Sequence, residues 1–418
     1  MEQAETEIIP ATDYSLKTVQ VIDARMGRGK TTAAINYMLA NRGTKRFVYI
    51  TPFLTEVSRV CEACDFDHPD NDSRLTKLTE LKKLLHYERN IAATHALFYL
   101  LDNEATELIK EKKYSIIIDE SIAPLSKISM SKKDLDTIAP KIEIDGNGIV
   151  KWIEEDYEGR FDDIMLMAQA NSLVCAGGFL MNIMNPDLLA AFDEIYMLTY
   201  LFNGQIQKGY LDYFGFNYKI RGVKYVNGQL TFSDEPDSPP PMSLSSLIYL
   251  VNEDKLNDIG KARTALSVSW YGQHGKSSME IKHLRNNLYT YFRRRCILDV
   301  NRQLWTCPKE SMKKLLGSDG RFKSSFLQMS ARATNEFKDR DQVAYLVNRF
   351  LDPNYKNFLM QRDVAIDDDL YALGEMLQFI WRSAIRDGKP ITLYIPSKRM
   401  RTLFTDWLNE VSKGGESA

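Results

Sequence analysis

The stretch VIDARMGRGKTTAAINYML, residues 21–39, constrains this chain more than any other. Val19, Val21 and Ile22 are β-formers that end at Asp23, and from Thr31 to Leu39 apolar Ala, Ile, Met and Leu recur at near-helical spacing. A strand therefore feeds a helix through Ala24–Thr31. Gly27 and Gly29 let the backbone take conformations closed to other residues, so N–H groups from Gly27 to Thr32, Arg28 included, can converge on phosphate oxygens at the positive end of the helix. In such a loop Lys30 reaches the β- and γ-phosphates of a nucleotide and the Thr31 hydroxyl holds Mg²⁺. The strict phosphate-loop pattern begins with Gly where this loop has Ala24. The bland alternative is a chance glycine turn before an amphipathic helix, which does not explain the Lys-Thr pair in its strand–helix setting.

A phosphate loop needs a partner that holds the metal and activates water. YSIIIDES, residues 114–121, supplies one: an apolar, β-branched run predicts a buried strand with Asp119 and Glu120 at its carboxyl end, where open α/β sheets bind ligands. Asp119 is placed to hold Mg²⁺ with Thr31, and Glu120 to orient or deprotonate the attacking water. An Asp-Glu pair at a strand end is common on its own; together with the loop it gains weight.

DARMGRGKTT, YITPFLTEVSR, IAATHALF, IIIDES and LTYLF follow one another in the order of motifs I, Ia, Ib, II and III of superfamily 2 helicases. Over most of residues 19–205 the chain resembles that family, including its viral origin-binding and phage replication groups. The resemblance implies ATP and Mg as cofactors, and places Thr51 and Pro52 (motif Ia) and Thr94 and His95 (motif Ib) on a face that touches nucleic-acid phosphates, a contact that addresses the backbone and not base edges. Motif II reads Asp-Glu-Ser-Ile in place of Asp-Glu-Ala-Asp or Asp-Glu-Ala-His. Each weaker member has a plainer explanation: Thr51-Pro52 as a strand end, His95 as a capping or core histidine, Thr199-Tyr200 as core packing.

The same resemblance implies a second lobe whose arginines reach the γ-phosphate. QFIWRSAIR, residues 378–386, is similar to motif VI, with Gln378 toward the nucleotide and Arg382 and Arg386 as catalytic arginines, although Trp381 replaces a glycine and Arg386 falls one place late. At i and i+4 the two arginines would share one helix face. MSARATNEFKDR, residues 329–340, occupies the place of motifs IV to V, so Ser330, Arg332, Thr334 and Asn335 are candidate contacts to nucleic-acid or nucleotide phosphates. Trp270 and Tyr271 could stack on a base or pack in a core, and the basic run ending at Cys296 could line a channel or cap a solvated helix.

With 418 residues, 44% of them hydrophobic, the chain has material for two to three ordinary cores. Its 54 basic and 56 acidic residues leave a net charge of −2, which excludes a coating protein with a global cationic field and requires any nucleic-acid binding to use a local groove. No apolar run approaches the roughly 20 residues of a membrane span, and the acidic N-terminus lacks a signal-peptide core. A cytoplasmic protein is expected, in a bacterial host if phage-encoded, with no membrane partner. Five scattered cysteines fit a reducing compartment; Cys61, Cys64 and His68 alone have metal-like spacing, and no second Cys pair completes a zinc site.

Strand and helix patterns alternate through residues 1–205, including SLVCAGG and EIYMLTYLF, which predicts a parallel sheet under helices. Residues 206–242 read as β-rich, with a hairpin turn at Asn227-Gly228 and a Pro-rich linker. Residues 243–411 read as a second α/β unit, with ALSVSWYG, SSFLQMSA, QVAYLVNRF and PITLYIPS among its segments, and 412–418 as a disordered tail. The expected fold is thus α/β, two RecA-like P-loop NTPase lobes with parallel sheets flanked by helices and a β-rich connecting region. The expected function is an ATP-dependent helicase or translocase acting on nucleic acid, with single-stranded or forked DNA and replication proteins as partners. The alternatives are a nucleic-acid-dependent ATPase switch or loader that does not unwind, and a small-molecule P-loop kinase, which leaves the ordered motifs unexplained.

Overall fold

The computed structural model describes residues 14–69, 76–145, 148–176, 178–237, 244–295, 299–317, 320–329 and 335–413. Up to residue 237 the strands are β1 (Thr18–Asp23), β2 (Arg46–Thr51), β3 (Ile91–Thr94), β4 (Tyr114–Asp119), β5 (Leu125–Lys127), β6 (Ile142–Ile144), β7 (Val150–Trp152), β8 (Leu173–Ala176), β9 (Phe179–Ile183), β10 (Ile195–Thr199), β11 (Asn217–Val226) and β12 (Gln229–Ser233). The helices between them are α1 (Lys30–Ala40), α2 (Leu54–Cys64), α3 (Lys77–His86), α4 (His95–Phe98), α5 (Asn103–Glu111), α6 (Lys132–Ile138), α7 (Asp162–Gln169), α8 (Pro186–Ala191) and α9 (Ile206–Phe214). Beyond residue 243 come α10 (Leu244–Leu247), β13 (Ile248–Leu250), α11 (Asp254–Asn257), α12 (Val268–Gln273), α13 (Met279–Thr290), β14 (Gln303–Thr306), α14 (Met312–Leu315), β15 (Gln342–Tyr345), α15 (Pro353–Met360), α16 (Asp368–Ile380), β16 (Ile391–Tyr394) and α17 (Lys398–Lys413). The chain divides into two compact units, Met1–Asp237 with Asp352–Ile366, and Ser238–Leu351 with Asp367–Ala418.

The first unit is built on a seven-stranded sheet in the order β12-β11-β1-β10-β4-β2-β3, parallel throughout except for the β11–β12 hairpin. β4 shows why the centre is parallel: every residue from Tyr114 to Asp119 is buried, as a strand covered by helices on both faces requires. Ile117 packs with α1 and α2 residues such as Ile35, Met38 and Val57 on one face, and Ile116 and Ile118 pack with Leu97, Phe98 and Phe192 on the other. Each isoleucine so buried contributes roughly 1.5–3 kcal/mol of transfer free energy. All the loops at the carboxyl ends of β1, β2, β4 and β10 therefore emerge along one edge.

Between β4 and β10 the chain leaves this sheet. SLVCAGG, expected as one of the alternating parallel strands, instead forms β8 in a separate antiparallel sheet, β5-β9-β8. Its partners are local: β8 and β9 are joined by a tight connection, which an antiparallel pair permits and a parallel pair does not. With the β6–β7 hairpin, α6 and α7 it closes over its own core of Ile138, Val150, Phe161, Ile164, Leu173 and Leu180.

Residues 206–237, read from the sequence as a β-rich connection, begin with a helix, α9. β11 then pairs parallel with β1 along its first half and antiparallel with β12 along its second, around Asn227 and Gly228 at φ +50° and +80°. Two successive positive φ values match the twist of a tight hairpin. The remainder of the Pro-rich linker, 238–243, lies outside the described residues.

The second unit carries a four-stranded parallel sheet, β13-β16-β15-β14. One face packs Trp305, Ala344 and Tyr394 against Tyr271, Leu284, Leu288 and Tyr291. On the other, Tyr345 meets Phe379 of α16 with ring centroids 5.6 Å apart. Both units are thus α/β, with mostly parallel sheets flanked by helices. ALSVSWYG does not form a strand here; Ser267 caps α12 and Tyr271 is core, while Trp270 lies edge-on to it. Among its described residues SSFLQMSA makes a single bridge, Trp305 to Phe326, because Lys323–Ser325 coils into a 3₁₀ turn. Ser412 and Lys413, expected in the tail, close α17, and 414–418 lie outside the described residues.

Candidate nucleotide-binding site

β1 delivers the chain to the loop, and Ala24 is fixed there by its N–H to the Thr199 carbonyl, 3.1 Å. Gly27 and Gly29 both have positive φ, +78° and +82°, a conformation that strains any residue with a Cβ. An atom added at Gly27 meets nothing within 4 Å, so the loop opens to free space there. Gly29 is the N-cap of the eleven-residue α1, leaving the first-turn N–H groups unpaired by helix carbonyls and available to an anion.

Lys30 folds back over the loop, donating to the carbonyls of Ala24 and Arg25. Burial lowers its pKa, while Asp119, Asp23, Glu120 and Asp237 act to raise it. The Thr31 hydroxyl donates to Asp119 Oδ2 at 2.9 Å. Thus the two residues that the sequence marks for a metal are brought together by the adjacency of α1 and β4 in the fold.

Asp119 is 5% exposed, and burial pushes its carboxyl up; hydrogen bonds from Tyr49 and Thr31, then the Lys30 charge, oppose that shift. Its main-chain carbonyl lies 3.1 Å from His95 Nε2. Glu120 follows with φ +62°, in the left-handed region, and its side chain is exposed at the strand end. Strain of this kind, of order 1–3 kcal/mol, recurs at sites where a side chain must be aimed. Ser121 Oγ then donates to Gln207 on α9, 3.3 Å, and Thr199 Oγ1 donates to Gln205, 2.7 Å.

The β11–β12 hairpin walls the loop. Arg28 pairs with Asp237 at 3.1 Å, with the Asp237 side chain only 4% exposed, and a Cβ at Gly29 would stand 2.5 Å from Leu230 Cδ1. Asn36 of α1 donates to the Leu230 carbonyl, 2.9 Å. Thr32 is contacted by Arg59 of α2 at 3.4 Å. None of Tyr49, Asp237, Leu230 or Gln207 was identified from the sequence. Only Tyr49 had a local sign, a phenol between the apolar Val48 and Ile50.

Of the two residues read as motif Ib, His95 takes an interior position and Thr94 is partly exposed. His95 is 1% exposed beneath Asp119, so in this conformation it supports the end of β4 and presents no face to a polynucleotide. Thr94 caps α4 by accepting from the Leu97 N–H, 3.4 Å. Thr51 is fully buried and its hydroxyl has no hydrogen-bond partner, whereas Pro52 is partly exposed. In the second unit α16 ends at Ile380, where Arg382 and Ser383 N–H groups turn back to Phe379 and Ile380 and the Ser383 hydroxyl also bonds Ile380 O. Arg382 and Arg386 therefore do not share a helix face. Arg382 donates to Met329 O at 3.5 Å, and Arg386 is exposed on a 3₁₀ turn, Ala384–Asp387; Gln378 is half-buried near the end of α16. Ser330, Arg332 and Thr334 lie outside the described residues, as do Cys296 and the side chain of Asn335. Cys61 and Cys64 sit on α2, and among the described residues no three His, Cys, Asp or Glu side chains are placed to hold a metal ion.

The loop, the α1 N-terminus, Lys30 and the Thr31–Asp119 pair fit a Mg-nucleotide, which would supply a phosphoanhydride for cleavage and a cation to neutralise its charge. Residues 242–408 match the model of the YonV C-terminal Rossmann-like domain, and residues 125–182 that of the YonV middle domain. The chain is 34% identical over 412 residues to the SPbeta prophage-derived uncharacterized protein YonV of Bacillus subtilis (strain 168), an alignment covering 94% of this chain and 99% of that one. The chain belongs to the YonV family. The middle-domain match spans the antiparallel insertion from β5 into β9, and the C-terminal match covers most of the second unit. Among solved structures, XPD in its apo form aligns over 94% of this chain and 95% of its own at 12% identity and a TM-score of 0.49; for Xpd4 of S. tokodaii the values are 94%, 94%, 12% and 0.41. The helicase MrfA bound to DNA and AMPPNP aligns over 94% of this chain and 48% of its own, at 10% identity and a TM-score of 0.36. Among the described residues no helix is long and apolar enough to cross a membrane.

Proposed function

We propose that this protein is a Mg-dependent ATPase that couples hydrolysis to movement on nucleic acid, a helicase or translocase of a phage or mobile element. The observation that carries the reading is the 2.9 Å pairing of Thr31 with Asp119 beside Lys30, at the carboxyl edge of a parallel sheet. Lys30 faces the β- and γ-phosphates, Thr31 and Asp119 hold the metal, and Glu120, exposed on its left-handed turn, receives the proton of the attacking water. Pro52, Ser330, Arg332 and Thr334 are the proposed nucleic-acid contacts, and Arg382 or Arg386 the arginine proposed to act in hydrolysis. The ordered helicase-like motifs support the nucleic-acid half of this reading, and the prophage origin of the B. subtilis relative supports a mobile element as its setting.

The experiment is an ATPase assay with purified full chain, with and without single-stranded DNA, single-stranded RNA and duplex at low salt. Stimulation of several-fold by one of them is expected, together with binding that weakens steeply as salt rises, since phosphate contacts release counterions. ATP turnover indifferent to all three rejects the motor reading, and a forked-duplex unwinding assay separates a helicase from an ATPase switch.

A further inference from the structure

Tyr49 lies at the middle of β2, fully buried among Phe47, Val57 and Ile117, and its phenol O–H donates to Asp119 Oδ2. That oxygen also accepts the Thr31 hydroxyl. Two donors carried by different elements, β2 and α1, thus converge on one oxygen of the carboxylate that the proposed reading assigns to the metal. One hydrogen bond leaves a carboxylate free to rotate about its terminal torsion, which is broad and shallow. A second donor from a rigid direction removes that freedom. β2 pairs directly with β4, with Ile50 opposite Ile118, so the phenol is held at a fixed distance from Asp119 by the sheet itself.

We propose that Tyr49 is a positioning residue for the Mg-nucleotide complex, holding the Asp119 carboxylate in the orientation that receives the metal. Groups that orient metal ligands in this way are worth about 10–100-fold in metal affinity or activity. A tyrosine that merely filled the core would give a different result, because its hydroxyl could be removed at a cost in stability alone. This inference rests on the nucleotide reading above and adds to it a residue to which the sequence assigned no role.

The test is Tyr49→Phe in the full chain, which keeps the ring and removes the hydroxyl. Affinity for a fluorescent ATP analogue is measured in EDTA and across a Mg²⁺ titration, with thermal unfolding alongside. The Mg²⁺ concentration at half-saturation should rise about tenfold while affinity in EDTA stays within about twofold of wild type. Asp119→Asn should raise it further, and Tyr49→Phe added to Asp119→Asn should change nothing more, since both act through one carboxylate. A Mg²⁺ titration of Tyr49→Phe that overlays wild type, an equal loss with and without metal, or additive effects in the double variant would overturn the assignment. Wild-type protein that binds the analogue no better with Mg²⁺ than without is a separate outcome; it overturns the nucleotide reading and this inference with it.

Discussion

Thr31 and Asp119 are 88 positions apart in sequence and joined by a 2.9 Å hydrogen bond. One lies in the first turn of helix α1 and the other ends strand β4, and β1 and β4 flank β10 at the centre of the first sheet. The pair stands where the glycine-bearing loop after β1 and the acidic end of β4 face the same edge, and the predictions below follow from what surrounds it.

Lys30→Ala should leave the fold intact and lower ATP turnover by at least about a thousandfold, because it removes the charge facing the phosphates and no core packing. Circular dichroism together with a phosphate-release assay checks this. A folded variant that turns over ATP like wild type rules out the site.

Glu120→Gln should bind Mg-ATP normally and hydrolyse it about 10²–10⁴-fold more slowly, since an amide cannot accept the water's proton. The left-handed turn tolerates Gln no worse than Glu, so stability is expected to hold. Single-turnover hydrolysis beside equilibrium binding separates the two steps; loss of binding with chemistry intact contradicts the role.

Gly29→Ala should destabilise the first unit and abolish nucleotide binding. A Cβ at φ +82° costs about 1–2 kcal/mol and would sit 2.5 Å from Leu230 Cδ1. Because Leu230 is the flexible end of a side chain, Leu230→Ala added to Gly29→Ala should restore part of the melting temperature but not the binding. Full recovery of both would show that the hairpin contact, and not the backbone conformation, matters.

Glu194 gives a pH-dependent stability. Burial acts to raise its carboxyl, but hydrogen bonds from Lys45 and Tyr37 outweigh that and hold its pKa below the ordinary carboxylate value. A depressed folded pKa means stability present above the unfolded value, about 4.3, and lost as pH falls through the folded value. Glu194→Gln should therefore melt lower than wild type at pH 7, with the gap closing below about pH 4. Parallel melting curves at every pH would contradict the sign.

Arg382→Ala should spare ATP binding to the first unit and remove most of the several-fold polynucleotide stimulation. Arg386→Ala, on its exposed 3₁₀ turn, is the paired measurement. Stimulation that survives the loss of both arginines removes motif VI from the mechanism.

The sequence by itself determined those features that nearest-neighbour sterics and pattern decide. The strand–loop–helix of residues 18–40 follows from β-formers, two glycines that accept positive φ and a helical repeat, and β4 follows from an unbroken apolar run. The Asn227-Gly228 hairpin was legible for the same reason, since a tight turn is encoded in two residues. What only the tertiary structure decided depends on which distant segments become neighbours. SLVCAGG has the composition of a parallel core strand but lies in the antiparallel insertion, because β-propensity does not specify a partner. His95 turned inward, and Arg382 and Arg386 parted, because α4 packs under Asp119 and α16 ends one turn early. Asp237 beside Arg28 and Tyr49 beside Asp119 are contacts across roughly 209 and 70 positions, set by strand order and register, which no local sequence window contains.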